Sequence, residues 1–298
     1  MKRLKIGVIG CGIMGGYHIK QYRNISVVDL IGAADSDPSK RIEGVPFFSD
    51  YADLLNIADA VSIVTPTSTH HEIANKALDM GVSVLIEKPI AMNTEDGERL
   101  IKKAKSKRLT LTVGHIERFS PVYMKLEQEL KGKPLLIIDI KRFSPFPARI
   151  SDVSCVMDIM IHDIDLALKL AGSPVEQVSA VGKKIRTERL DTAQAVLVFK
   201  NGTIANIGTS RVNEVKVRQI IAVAGDKIYE ADLLNKQLKE QTTKGKRAIP
   251  IDDHDQLNHE LMCFASAVLK NRTPVVTGED ALKALDIATR VEEAALRS

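Results

Sequence analysis

As far as Gly114, the chain alternates short, mostly apolar runs with segments in which apolar residues recur at helical spacing. The short runs are residues 4–9, 27–34, 60–64, 82–87 and 109–114, rich in Val, Ile and Leu and bounded by Gly, Asp or Pro. Runs that stay apolar at every position belong to strands buried on both faces, as in a parallel sheet covered by helices on each side. Helical patterns follow the first run to about Asn24 and then occupy 69–80 and 94–107, with Gly81 just beyond the second of them as a C-terminal stop. Right-handed crossovers between such strands give a doubly wound sheet.

Beyond Arg118 the pattern changes. Residues 121–130 read as helix, 135–142 as strand and 155–170 as a helix ended by Gly172. Four strand-like runs then follow with little helix between them, at 175–185, 192–199, 203–211 and 218–224, and Asn201-Gly202 marks a tight hairpin. Two helical patterns, 254–271 and 278–296, close the chain. The pattern therefore predicts an α/β fold in two domains. A doubly wound, dinucleotide-binding Rossmann domain is expected over 1–118, and an α+β domain with a mainly antiparallel open sheet over 119–298.

The first strand runs straight into Gly10-Cys11-Gly12-Ile13-Met14-Gly15, a GxGxxG that opens a helix. In that position the pattern is a phosphate-binding turn. Gly10 permits the tight bend, Gly12 lets the backbone approach a pyrophosphate, and Gly15 lets helix and strand pack closely. The phosphates are then held by the N–H groups and dipole of the helix N-terminus. The competing reading is a glycine-rich structural turn. Asp35 follows the second strand, where an acidic residue accepts hydrogen bonds from the adenosine ribose and repels a 2′-phosphate. That favours NAD over NADP, although Ser36, Lys40 and Arg41 stand close enough in sequence to cradle a phosphate instead. Asp37-Pro38 reads as the cap of the segment that follows.

Composition changes the picture little. Of 298 residues, 44% are hydrophobic and 27% charged, an ordinary globular balance, and the absence of Trp makes the core aliphatic. The net charge of +4, from 42 basic and 38 acidic residues, is too weak and dispersed for a nucleic-acid surface. The basic cluster at 102–108 reads as a solvated helix end. Three cysteines, Cys11, Cys155 and Cys263, lie far apart, which fits a reducing compartment and neither a disulfide framework nor a zinc site. No metal is expected. The basic N-terminus precedes an apolar stretch broken by glycines, not a signal peptide, and no run reaches the length of a membrane span. The expected location is the cytoplasm.

Two more strands end in chemistry at the carboxyl edge, where ligands of open α/β sheets bind. One ends in Thr65-Pro66-Thr67 and the other in Glu87-Lys88-Pro89. With Gly114-His115-Ile116-Glu117-Arg118-Phe119 and Asp158-x-x-x-His162-Asp163, these motifs resemble those of the glucose-fructose oxidoreductase / inositol dehydrogenase (Gfo/Idh/MocA) family over the whole chain. The resemblance implies a catalytic set of Lys88, Asp158 and His162. It places Thr65, Thr67, His70, Glu87 and Lys88 beside the cofactor, with Gly10, Cys11, Gly12, Ile13, Met14, Gly15, Asp35 and Ser36. His115, Arg118, Lys88, Asp158 and His162 are then expected at the substrate.

The chemistry is consistent with those roles. Asp158 and His162 are four apart on an expected helix and so share a face. A histidine suits removal of a hydroxyl proton, a carboxylate orients it, and a lysine stabilises charge on the reacting oxygen. The bland alternative is a solvent-exposed ion pair on the helix and a surface lysine. His18 is expected to pack behind the phosphate turn, His71 to lie on the helix surface and His259 to be structural. Arg142 and Arg149 are read as surface charges, each with a lesser claim on an anionic substrate group.

The Gly-His-Ile-Glu-Arg-Phe form is similar to that of family members acting as UDP-N-acetylglucosamine 3-dehydrogenases, which implies a nucleotide-sugar substrate. Two alternatives stay open: dehydrogenation of myo-inositol or a free sugar, and a non-catalytic, dinucleotide-sensing regulator. The apolar strands from 192 to 224 leave an exposed patch in a monomer, so a symmetric homodimer or homotetramer is expected.

Overall fold

The computed structural model describes residues 3–146 and 153–298, which form two compact bodies. The first comprises Met1–Ile116 and Asp255–Leu282, the second Glu117–His254 and Lys283–Ser298.

In the first body, strands β1 (Leu4–Ile9), β2 (Val28–Ala34), β3 (Phe47–Phe48), β4 (Ala60–Ile63), β5 (Ser83–Glu87) and β6 (Leu111–Gly114) form one parallel sheet in the order β3-β2-β1-β4-β5-β6. Helices α1 (Ile13–Tyr22), α2 (Tyr51–Leu55), α3 (His70–Asp79) and α4 (Thr94–Lys107) connect them. The order reverses between β1 and β4, so the crevice for a ligand opens where the first strand ends. All four residues of β4 are buried, the one polar side chain, Ser62, hydrogen-bonded to the Tyr22 hydroxyl at 2.6 Å.

The second body contains α5 (Pro121–Leu130), β7 (Leu135–Phe143), a π-helical turn at Val156–Met160 and α6 (Ile161–Ala171). Strands β8 (Val175–Lys183), β9 (Thr192–Phe199), β10 (Ile204–Ser210), β11 (Val217–Ala224), β12 (Lys227–Asp232), β13 (Gln237–Thr242) and β14 (Gly245–Ile249) follow. The sheet order is β14-β13-β12-β11-β7-β10-β9-β8, antiparallel throughout except where β7 and β10 run parallel. The β9–β10 hairpin turns at Asn201-Gly202, with Gly202 at φ +86° in the left-handed region. One face of the sheet, through Ile138, Ile140, Leu197 and Ile207, buries Leu126 and Ile164 of the helices. On the other face Ile137, Val181, Val196 and Ile204 are exposed.

The chain closes with α7 (Gln256–Lys270) and α8 (Gly278–Leu296). Here the expected boundary is corrected. Division at residue 118 misses the return of α7 to the first body, whose core takes up Leu257, Leu261 and Phe264 beside Ile19 and Tyr22. In the second body three strands also escape the sequence reading, β12, β13 and β14. They lie at a sheet edge and carry Lys, Glu, Gln and Thr among few apolar residues, so their alternation is masked. The turn residues Gly225 and Asp226, which lead from β11 into β12, are the signal that was available. Among the described residues no helix is long and apolar enough to cross a membrane.

Candidate active site

The glycine turn has the geometry its sequence requires. Gly10 sits at φ +99°, and a Cβ there would meet the Val64 carbonyl oxygen at 2.5 Å. A Cβ on Gly15 would fall 1.9 Å from the Gly10 oxygen, so the helix packs on the turn only because Gly15 has no side chain. A Cβ on Gly12, by contrast, would point into open space, leaving room for a phosphate to approach the backbone. Gly12 is the N-cap of α1 and no side chain caps it, which fits the pyrophosphate of a dinucleotide at the first-turn N–H groups. Ile13 is exposed and Met14 half-buried beside it.

Asp35 is fixed at the head of this turn. One carboxylate oxygen accepts the Cys11 N–H at 2.8 Å and the other the Asp37 N–H at 2.9 Å, while Lys40 Nζ stands 3.8 Å away. Ser36 next to it is exposed. Asp37 caps the short turn Pro38–Lys40 by accepting from Ser39 N–H, as its sequence suggests. Cys11 is buried, and burial together with the Asp35 charge pushes its thiol up to about 11, so it is inert at neutral pH.

At the ends of β4 and β5 stand the other motif residues. Thr65, Thr67, Glu87 and Lys88 are all partly buried, and Lys88–Pro89 is a cis peptide. Glu87 accepts the Lys88 backbone N–H at 3.2 Å and meets His18 Nε2 at 3.2 Å. Burial works against ionisation of Glu87, but the His18 bond and the charges of His18 and Lys88 outweigh it and hold its carboxyl below the usual range. His18 is therefore buried behind the turn, as expected, and also supports Glu87. His71 is half-exposed, with Nε2 3.7 Å from Asp96.

His70 corrects an expectation. Its ring is 1% exposed and both nitrogens face backbone carbonyls, Nδ1 that of Pro89 at 2.9 Å and Nε2 that of Thr65 at 3.0 Å. Its ring lies between two turns instead of facing the cofactor edge. His115 is also 1% exposed, its ring enclosed.

Glu260, on the buried face of α7, was not foreseen. Neither of its carboxyl oxygens has a hydrogen-bond partner among the described residues. Its position on the stripe Leu257, Glu260, Leu261, Phe264 is the signal in the sequence, a carboxylate at apolar helical spacing. Burial first and the Glu87 charge second raise its pKa well above the ordinary value. The folded protein therefore keeps a proton that the unfolded chain releases above about pH 4.5. The stabilisation is complete below that pH and declines by about 1.4 kcal/mol per pH unit as pH rises towards the folded value. Glu260→Gln, which needs no proton, should melt close to wild type at pH 5 and increasingly above it towards pH 8. Melting curves that stay a constant interval apart across that range would show that Glu260 is ionised in the fold.

In the second body, Asp158 lies in the π turn and His162 in the first turn of α6, both partly buried. The expected single helix is thus interrupted by a π-wound turn at Val156–Met160, which it enters through an ordinary α-type bond from Asp158 N–H to Ser154 O at 3.0 Å. Such π turns recur at functional sites. C-terminal to His162, Asp163 and Asp165, which project from different sides of α6, each hold an arginine. Arg142 donates to Asp163 from Nε at 2.9 Å and Nη2 at 2.7 Å, and from Nη1 to Glu117 at 2.9 Å. Arg218 adds a bond to Glu117 at 3.1 Å. Burial opposes the charge on Arg142, yet Asp163 and Glu117 hold its pKa above the ordinary value.

Two arginine expectations are corrected by this network. Arg142 is no surface charge; it is buried at the centre of an ion-pair cluster. Arg118, expected at the substrate, gives Nε and Nη2 to Asp165 at 2.6 and 2.7 Å in a fully enclosed bidentate pair. Apolar surroundings explain both, because a buried guanidinium persists only when paired. Arg149 lies outside the described residues. Among the described residues, no group of three or more His, Cys, Asp or Glu is placed to hold a metal ion.

The match to known families agrees with this arrangement. Residues 4–115 match the model of the oxidoreductase family with an NAD-binding Rossmann fold, and 145–228 match the GFO/IDH/MocA C-terminal domain. The chain belongs to the Gfo/Idh/MocA oxidoreductase family. It is 35% identical to the UDP-N-acetylglucosamine 3-dehydrogenase of Acidithiobacillus ferrooxidans, over 99% of this chain and 98% of that protein. It is 29% identical to the myo-inositol 2-dehydrogenase of Thermotoga maritima, over 95% and 93%. The solved structure of the Acidithiobacillus enzyme superposes with a TM-score of 0.94, covering 99% of this chain and 98% of that one at 34% identity. As a member of the family the protein is an oxidoreductase with an NAD-binding Rossmann domain.

Proposed function

We propose that the protein is an NAD-dependent dehydrogenase that oxidises a sugar hydroxyl of UDP-N-acetylglucosamine, at C3. Similarity along the full length to an enzyme of that activity carries this reading. Lys88, Asp158 and His162 form the catalytic set. His162 removes the proton of the hydroxyl, Asp158 orients the imidazole, and Lys88 donates a hydrogen bond to the reacting oxygen. Bound NAD supplies the acceptor for the hydride that leaves the same carbon. Gly10, Gly12 and Gly15 let the backbone hold its pyrophosphate, and Asp35 holds the ribose. Thermal melting tests the substrate: UDP-N-acetylglucosamine should raise the melting temperature in the presence of NAD, and myo-inositol and glucose should not. A shift from myo-inositol alone would move the activity to the polyols.

Asp35 is proposed to set the cofactor. Its carboxylate, held in place by two backbone N–H groups, would face the 2′-phosphate of NADP at close range. The repulsion is expected to cost about 1.4 kcal/mol or more, a factor of about ten in affinity. Fluorescence titration checks it, and equal affinities would pass the ribose site to Ser36, Lys40 and Arg41.

The open face of the eight-stranded sheet, with Ile137, Val181, Val196 and Ile204 exposed, supports a homo-oligomer formed through that face. Light scattering at micromolar concentration is expected to give a dimer or tetramer; monomer alone would refute it. The reading includes a soluble, cytoplasmic enzyme.

A further inference from the structure

We propose that His70 is a positioning residue for Lys88, acting through the Pro89 carbonyl, which its Nδ1 meets at 2.9 Å. This rests on the catalytic reading of Lys88. Both turns that His70 touches contain a proline, which has no N–H to give. After Lys88, the next backbone group able to anchor the segment is the carbonyl of Pro89, and His70 takes it. After β4, the carbonyl of Thr65 precedes Pro66, and the other ring nitrogen stands 3.0 Å from it. β4 and β5 are neighbours in the sheet, so one rigid, buried ring sits between two adjacent strand ends.

A neutral imidazole has a single N–H, and two acceptors compete for it. Burial favours that neutral ring, while the two carbonyls and Glu87 pull the other way and Lys88 opposes the charge. The proposal places the single ring proton on Nδ1, so that the Pro89 carbonyl is hydrogen-bonded and the Thr65 carbonyl is only in contact with the ring. A ring freed from Pro89 lets the segment after Lys88 shift, and displacement of a catalytic group by about 1 Å costs up to about a hundredfold in rate.

Two near-isosteric substitutions separate the bonds. The side-chain amide of Asn reaches the position of Nδ1, and that of Gln the position of Nε2. His70→Asn should therefore keep kcat within a few fold of wild type. His70→Gln and His70→Ala should lose about 10- to 100-fold in kcat, with NAD affinity unchanged in all three. Adding His70→Gln to Lys88→Ala should cost nothing further, since both act through one group. Rescue by Gln and not Asn would overturn the proposal, as would loss of NAD binding with kcat intact at saturating NAD. If Lys88→Ala itself kept full turnover, the catalytic reading of Lys88 would have failed, a result distinct from either of these. Nitrogen-15 spectra of the histidine-labelled, cofactor-free protein give an answer that needs no substrate. A protonated Nδ1 on His70 is expected, and an unprotonated one overturns the assignment.

Discussion

His162→Ala and Lys88→Ala are each expected to bind NAD almost as wild type does and to lose turnover by roughly two to four orders of magnitude. Neither residue belongs to the pyrophosphate turn, where Gly10, Gly12 and Gly15 shape the backbone, so cofactor affinity should not report the change. The size of the loss follows from the roles. Positioned proton transfer and a hydrogen bond to developing negative charge each contribute that much, because they act in the transition state and not in the ground state. Asp158→Asn should do less harm than His162→Ala, since an amide still fits the site and only the orientation of the imidazole is weakened. UDP-N-acetylglucosamine is the substrate to assay first, with NADH formation as the signal. A folded, NAD-binding His162→Ala protein with near-wild-type turnover would remove the histidine from the mechanism. The base would then be sought first at Lys88.

How much of this was legible differs sharply between the bodies. In the first, every strand but the two-residue β3 announced itself, because buried parallel strands are apolar at most positions and their ends are punctuated by Gly, Pro and Asp. The glycine turn was readable residue by residue, since each glycine answers a separate steric demand that the structure displays. The second body was less open to reading. Strands β12 to β14 are polar and lie at the edge, and the π turn at Asp158 leaves no mark in composition. The arginines were hardest. Arg142 and Arg118 look alike in sequence, and their burial depends on carboxylates 21 and 47 residues further along the chain. Spacing within one element carries no information about such partners. The role of His70 was hidden for a similar reason, because its acceptors are backbone carbonyls that any sequence would supply.

The Arg142 cluster is expected to be the most sensitive point for stability. Arg142→Ala would leave the Asp163 carboxylate buried without the guanidinium that holds it, and would strip Glu117 of its buried partner while Arg218 stays at the rim. Breaking a buried pair from one side typically costs about 3–5 kcal/mol, because the orphaned charge stays out of water. Urea unfolding of the second body, followed by circular dichroism, should move to lower denaturant by that amount. Replacing the whole cluster by apolar and neutral side chains of similar size (Arg142→Met, Glu117→Gln and Asp163→Leu together) should restore most of the loss, since no uncompensated charge then remains. Function should not return with it. Asp163 adjoins His162 on α6, and its pairing with Arg142 of β7 fixes the helix that carries His162. The triple variant is therefore expected to be stable and NAD-binding, with turnover still well below wild type. If Arg142→Ala shifted the transition by less than about 1 kcal/mol, the cluster would behave as a solvated surface network and not as a buried one.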